Sequence, residues 1–97
     1  MVFQPCTYIL ASKKNGTLYT GVTRDIAMRV WMHRQGKASK FTAKYKVRML
    51  VWLEFSPMMV DAIACEKRIK NWRRQWKLEL IESVNPNWND IYPTLNQ

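Results

Sequence analysis

In CTYILASKKNGTLYTGVT, residues 6–23, two runs rich in Thr, Tyr, Ile, Leu and Val flank a polar Lys-Asn-Gly. β-Branched and aromatic residues suit a pleated strand, and Asn and Gly tolerate the positive φ that a tight reversal needs. A β-hairpin with strands over 6–11 and 17–22 is predicted. Tyr8 and Tyr19 then sit one on each strand. From these residues alone, partly buried strand tyrosines with wet hydroxyls explain them without any chemistry.

Beyond the hairpin, Thr23 is placed to cap a helix over Arg24 to Gln35, with Asp25 in its first turn, Gly36 as its stop, and Ile26 and Val30 on its core stripe. KASKFTAKYK, 37–46, mixes lysines with Phe41 and Tyr45 without a clean period, so it is expected to be a loop holding at most one helical turn. VRMLVWLEF, 47–55, reads as a strand whose middle is apolar on both faces, which suits a central place in the sheet. Ser56-Pro57 reads as a cap and first-turn proline opening a helix to Trp72. Ile69, Trp72, Trp76 and Leu80 keep helical spacing, which carries a second helix to Ser83. An irregular tail follows, with Trp88 and Tyr92 expected to fold back. The expected fold is a single α/β domain over residues 1–97: a small, mainly antiparallel three-stranded sheet flanked by helices, in the order β-β-α-β-α-α.

Charge narrows the function. The net charge is +9 from 16 basic and 7 acidic residues. Residues 13–48 carry ten Lys or Arg against Asp25 alone, and Lys67 to Lys77 hold the other six. Such segregation favours a polyanion, because each phosphate contacted releases counterions. Nucleic acid leads, with a merely solvated surface or acidic lipid as the alternatives. No apolar run approaches a membrane span, and MVFQPC has no signal-peptide pattern, so a cytoplasmic protein is expected. Cys6 and Cys65 are far apart and form no zinc-type set, which leaves them as reduced core thiols.

Three further residues carry candidate chemistry. Arg29 and His33 are four apart and share a helix face, with His33 expected at a rim beside the Ile26/Val30 stripe. An arginine there can bind phosphate and a histidine can pass a proton. Glu66 faces the buried stripe of its helix among Lys67, Arg68 and Lys70. It fits equally an ion pair with Lys70 and a carboxylate holding Mg²⁺. A tyrosine acting as base would need a lowered pKa, for which nearby cations such as Arg29 are required.

The ordered set Cys6-Thr7-Tyr8, Tyr19-Thr20-Gly21, Arg29, His33 and Glu66 resembles the GIY-YIG nuclease family over residues 6–92, with YTGVT, FTAKY, AIACEKRIKNW and LIESVNPNWND echoing its small stand-alone bacterial members. The resemblance implies a DNA endonuclease that hydrolyses phosphodiester bonds with one Mg²⁺, or Mn²⁺ in its place, and no small-molecule cofactor. Tyr8 or Tyr19 would be the base, Arg29 would stabilise the phosphate, His33 matches a helix histidine of this subgroup, and Glu66 would bind the metal. Gly21 matches the glycine where a side chain would crowd the site, and Asn89 is the nearest match to a late asparagine. Lys40, Lys44, Tyr45, Lys67 and Lys70 would contact nucleic acid. With no separate recognition domain, shape rather than sequence would be read on DNA, branched or single-stranded substrates included, in repair or recombination. The rival reading is a nucleic-acid-binding module that keeps the fold without turnover. The first motif departs from the family name, having Cys-Thr where Gly-Ile is usual.

Overall fold

The computed structural model describes residues 3–96. Strands β1 (Cys6–Ala11) and β2 (Leu18–Thr23) form the expected antiparallel hairpin. Its turn closes through Gly16 N–H to the Lys13 carbonyl at 2.9 Å, and Asn15 takes the left-handed conformation at φ 60°. Arg74 secures the tip from outside by donating to the carbonyls of Asn15 and Gly16 at 2.8 and 2.6 Å.

Strand β3 (Met49–Phe55) pairs antiparallel with β1, giving the order β2-β1-β3. The central strand is therefore β1, and the expectation that residues 47–55 lie in the middle is corrected. The reason lies in what covers β3. Its outer edge is closed by the tail: Leu50 N–H donates to Asp90 Oδ1 at 3.1 Å, Ile91 N–H to the Leu50 carbonyl at 2.8 Å, and Asn85 Nδ2 to the Val51 carbonyl at 3.0 Å. Both its faces are also buried, so an edge strand acquires the apolar pattern of a central one. A register shift between Ile9 and Leu10 puts a bulge in this pair.

Among the described residues four α-helices flank the sheet: α1 (Ile26–Arg34), α2 (Lys40–Tyr45), α3 (Met59–Lys70) and α4 (Arg74–Val84), followed by a 3₁₀ helix, Tyr92–Asn96. The order is β-β-α-α-β-α-α, one helix more than expected. The extra one is α2. Ser39 Oγ caps it by accepting from Phe41 and Thr42 N–H, and Lys46 ends it at φ 55°. With only six residues, and Thr42 as its buried one, α2 has no apolar period to read.

Two helix starts also move. Asp25, not Thr23, caps α1, accepting from Met28 N–H at 3.1 Å, while Thr23 Oγ1 accepts from Asp25 N–H. Ser56 does not open α3; its N–H continues the strand by donating to the Pro5 carbonyl at 2.8 Å, and the helix starts after Met58. That helix ends at Lys70, and residues 71–73 form a turn before α4.

Each face of the sheet has its own core. Ile9, Ala11, Val51 and Trp52 pack with Cys65 and Ile69 of α3, Ile81 of α4 and Trp88 of the tail. Cys6, Tyr8, Leu10 and Leu50 pack with Ile26 and Val30 of α1, with Tyr92 and Leu95 closing the cluster. Both cysteines are buried free thiols, one in each core.

Candidate active site

The hairpin register builds the site. Tyr8 pairs with Gly21 and Leu10 with Tyr19, so all four lie on the α1 face of the sheet. A Cβ at Gly21 would collide with the Tyr8 hydroxyl and ring. The bare glycine is what lets the ring of a central-strand residue lie across the neighbouring strand. Tyr8 and Tyr19 thereby come to 6.4 Å between ring centroids, and His33 of α1 completes the cluster at 5.8 and 5.1 Å from them.

His33 was expected at a rim but is 1% exposed. The covering element is α2, whose Thr42 is fully buried beside it. Tyr8 Oη lies 2.9 Å from His33 Nε2, and Thr42 Oγ1 lies 2.9 Å from Nδ1. Thr42 Oγ1 also donates to the Ser39 carbonyl at 3.3 Å. With that proton committed, Nδ1 must be the protonated ring nitrogen and Nε2 the acceptor. A directed chain results: Tyr8 O–H to His33 Nε2, His33 Nδ1–H to Thr42, Thr42 O–H to Ser39.

The electrostatics agree with a neutral chain. Burial first, then the Arg29 charge, pushes the His33 pKa down to about 4, so the imidazole is uncharged at neutral pH. Burial raises the Tyr8 pKa well above its ordinary value, with Tyr19 adding to the rise, Arg29 opposing it, and Cys6 and Glu66 contributing smaller increases. The expectation of a lowered tyrosine pKa is therefore corrected for Tyr8, because Arg29 does not outweigh desolvation. Tyr8 holds its proton and directs it at His33.

Arg29 of α1 and Glu66 of α3 thus both bear electrostatically on Tyr8, from helices on opposite faces of the sheet. Among the described residues the Arg29 guanidinium has no ion-pair partner, while Glu66 Oε2 pairs with Lys70 Nζ at 3.1 Å. The Glu66 side chain is 15% exposed. No group of three or more His, Cys, Asp or Glu side chains converges among the described residues. Any cation at Glu66 would therefore be held through one carboxylate, with water and phosphate completing its shell, and not caged by protein.

The nucleic-acid candidates divide. Lys40, Lys44 and Tyr45 are exposed on α2, and Phe41 links them to the cluster, 6.3 Å from Tyr19 and 4.9 Å from Tyr45. Lys67 is exposed on α3, one residue from Glu66, and Lys70 is engaged by that glutamate. Asn89 is exposed in the tail along β3, at the edge of the sheet away from β2, and the structure does not bring it to the tyrosines. The asparagine with a structural task there is Asn85, bound to Val51 and Asn89. Sequence reasoning missed Thr42; its one legible signal was Ser39, a cap residue at the head of a basic stretch. A cleft of about 370 Å³ between Trp72, Trp76, Glu79, Leu80 and Ser83 contains none of these residues.

An antiparallel three-stranded sheet between helices, with a tyrosine on each hairpin strand and an arginine and a glutamate on flanking helices, defines the class. The chain belongs to the GIY-YIG family: residues 4–79 match the GIY-YIG catalytic domain. It is similar to two small bacterial proteins, the UPF0213 protein SH2523 of Staphylococcus haemolyticus, 37% identical over 77% of this chain and 90% of that protein, and the UPF0213 protein SSP2268 of Staphylococcus saprophyticus, 38% identical over 70% and 83%. The solution NMR structure of the UPF0213 protein BH0048 from Bacillus halodurans superposes with a TM-score of 0.56 at 29% identity, covering 90% of this chain and 92% of that one. A GIY-YIG catalytic domain implies a nuclease acting on nucleic acid. No helix among the described residues is long and apolar enough to cross a membrane.

Proposed function

We propose that this protein is a DNA endonuclease that hydrolyses phosphodiester bonds with one Mg²⁺, reading the shape of its substrate in repair or recombination. The observation that carries this reading is the directed chain from Tyr8 through His33 to Thr42. A hydroxyl that already donates to an imidazole can accept a proton from water as it releases its own to Nε2. Tyr8 is thus the base, with His33 taking up its proton only for the duration of the step, because the buried imidazole does not keep one at neutral pH. The water oxygen attacks phosphorus, an ester P–O bond breaks, and the leaving oxygen takes up a proton from solvent, balanced by the one His33 releases afterwards. Arg29 neutralises charge that builds on the phosphoryl oxygens. Tyr19, at 5.1 Å from the His33 ring, positions the attacking water from the open side. Glu66 would hold Mg²⁺, which when bound acidifies water and offsets phosphate charge.

A second reading rests on the Lys70–Glu66 pair, which already occupies one carboxylate oxygen and suits a DNA-binding module without turnover. One comparison separates the two. Wild type should nick DNA with Mg²⁺, and Glu66→Ala should stop nicking while DNA binding persists. Undiminished metal-dependent cutting in Glu66→Ala would overturn the role of Glu66, and intact DNA with wild type in Mg²⁺ or Mn²⁺ would favour the binding module.

A further inference from the structure

We propose that the outer face of α2 is a stacking platform for an unpaired DNA strand running out of the active site, an inference that rests on the nuclease reading and supplies its substrate class. Three rings neighbour one another in turn: Tyr19 in the site, Phe41 at 6.3 Å from it, and Tyr45 at 4.9 Å from Phe41. Phe41 and Tyr45 are 42% and 47% exposed, although both are large enough to bury well. Lys44 lies over the Tyr45 ring at 5.3 Å, Lys40 and Lys46 are exposed beside it, and residues 37–48 contain no acid. Aromatic faces flanked by cations serve a strand whose bases are free to stack; in a duplex those faces are already occupied by neighbouring bases. Tyr19 makes the series continuous with the chemistry, so the stacked nucleotides are those next to the scissile phosphate.

Binding by Glu66→Gln protein tests this without requiring cleavage. Titration with one sequence as single strand and as duplex should show tighter binding of the single strand. Phe41→Ala with Tyr45→Ala should weaken that binding by about tenfold or more and lower duplex affinity far less, so that the preference for the single strand is lost. Phe41→Leu keeps the apolar packing of α2 and should lose the same preference, which guards against misfolding. Equal affinity for the two DNAs, or full single-strand affinity in Phe41→Leu, would overturn the platform. A retained preference in a wild type that cuts nothing would overturn the nuclease reading and leave the platform standing.

The inner face of the same helix carries a separate inference: the geometry points to Thr42 as a positioning residue for His33. Among the described residues its hydroxyl is the sole partner of Nδ1, and its own proton is taken by the Ser39 carbonyl. Only this tautomer leaves Nε2 open to the Tyr8 proton. His33 is the one histidine of the chain, so its ring nitrogens can be read directly by ¹⁵N NMR. Wild type should show the Nδ1–H form. Thr42→Val should shift the ring toward Nε2–H and lower kcat at least tenfold with little change in KM, and Thr42→Ser should restore both. An unshifted tautomer in Thr42→Val, or a shift that leaves kcat intact, would overturn the assignment. The tautomer reading holds whatever the protein does to DNA, so its failure is distinct from failure of the nuclease reading.

Discussion

Gly21 stands directly opposite Tyr8 in the β1–β2 pair, and the tyrosine ring lies over the space a side chain would fill. The fit leaves no room for a methyl group. Gly21→Ala should therefore displace Tyr8, costing about 1–3 kcal/mol of stability from overpacking and detaching the hydroxyl from His33. Urea denaturation should read the first effect. Nicking assays should show a larger loss of activity than of DNA binding.

Stability should depend on pH through His33. Its folded pKa of about 4 lies below the ordinary value of 6.5, so between these values the unfolded chain binds a proton that the folded one refuses. Stability is then full above pH 6.5 and falls as the pH drops toward 4, by about 3 kcal/mol from this residue. In denaturant titrations at several pH values, His33→Gln should flatten that acid limb. An unchanged limb would place the sensitivity elsewhere.

Asp90 ties the tail to the body by accepting from Leu50 N–H and Tyr92 N–H, each at 3.1 Å, and by pairing with Arg34, which itself lies 4.5 Å over the Tyr92 ring. Asp90→Ala removes partners from a strand edge and from a half-buried guanidinium together. A loss of about 2–4 kcal/mol is expected, with Asp90→Asn retaining the Oδ1 acceptor and costing less. Chemical denaturation of the two variants beside wild type checks the order.

The hairpin was legible because its signals are local: strand-forming residues on both sides of Lys14-Asn15-Gly16 need nothing from the rest of the chain. That Arg29 and Glu66 lie on helices was legible through spacing, whereas their candidate roles came from the resemblance alone. The place of β3 was not, since its apolar pattern records how thoroughly it is covered and not how many strands it pairs with. Nor was the burial of His33, which depends on α2 closing over it. That helix is held by a serine cap and a buried threonine, neither of which produces hydrophobic periodicity. The hydrogen-bonded chain through His33 thus leaves no trace in the pattern of any single element.

The tail along β3 extends the working unit of this protein past its catalytic signature. The stretch recognisable as catalytic ends at residue 79, yet Ile81, Trp88 and Ile91 beyond it pack into the two cores, the first two on one side of the sheet and the third on the other. Trimmed to its signature, the protein would keep every proposed catalytic side chain and lose the clasp that keeps them in place.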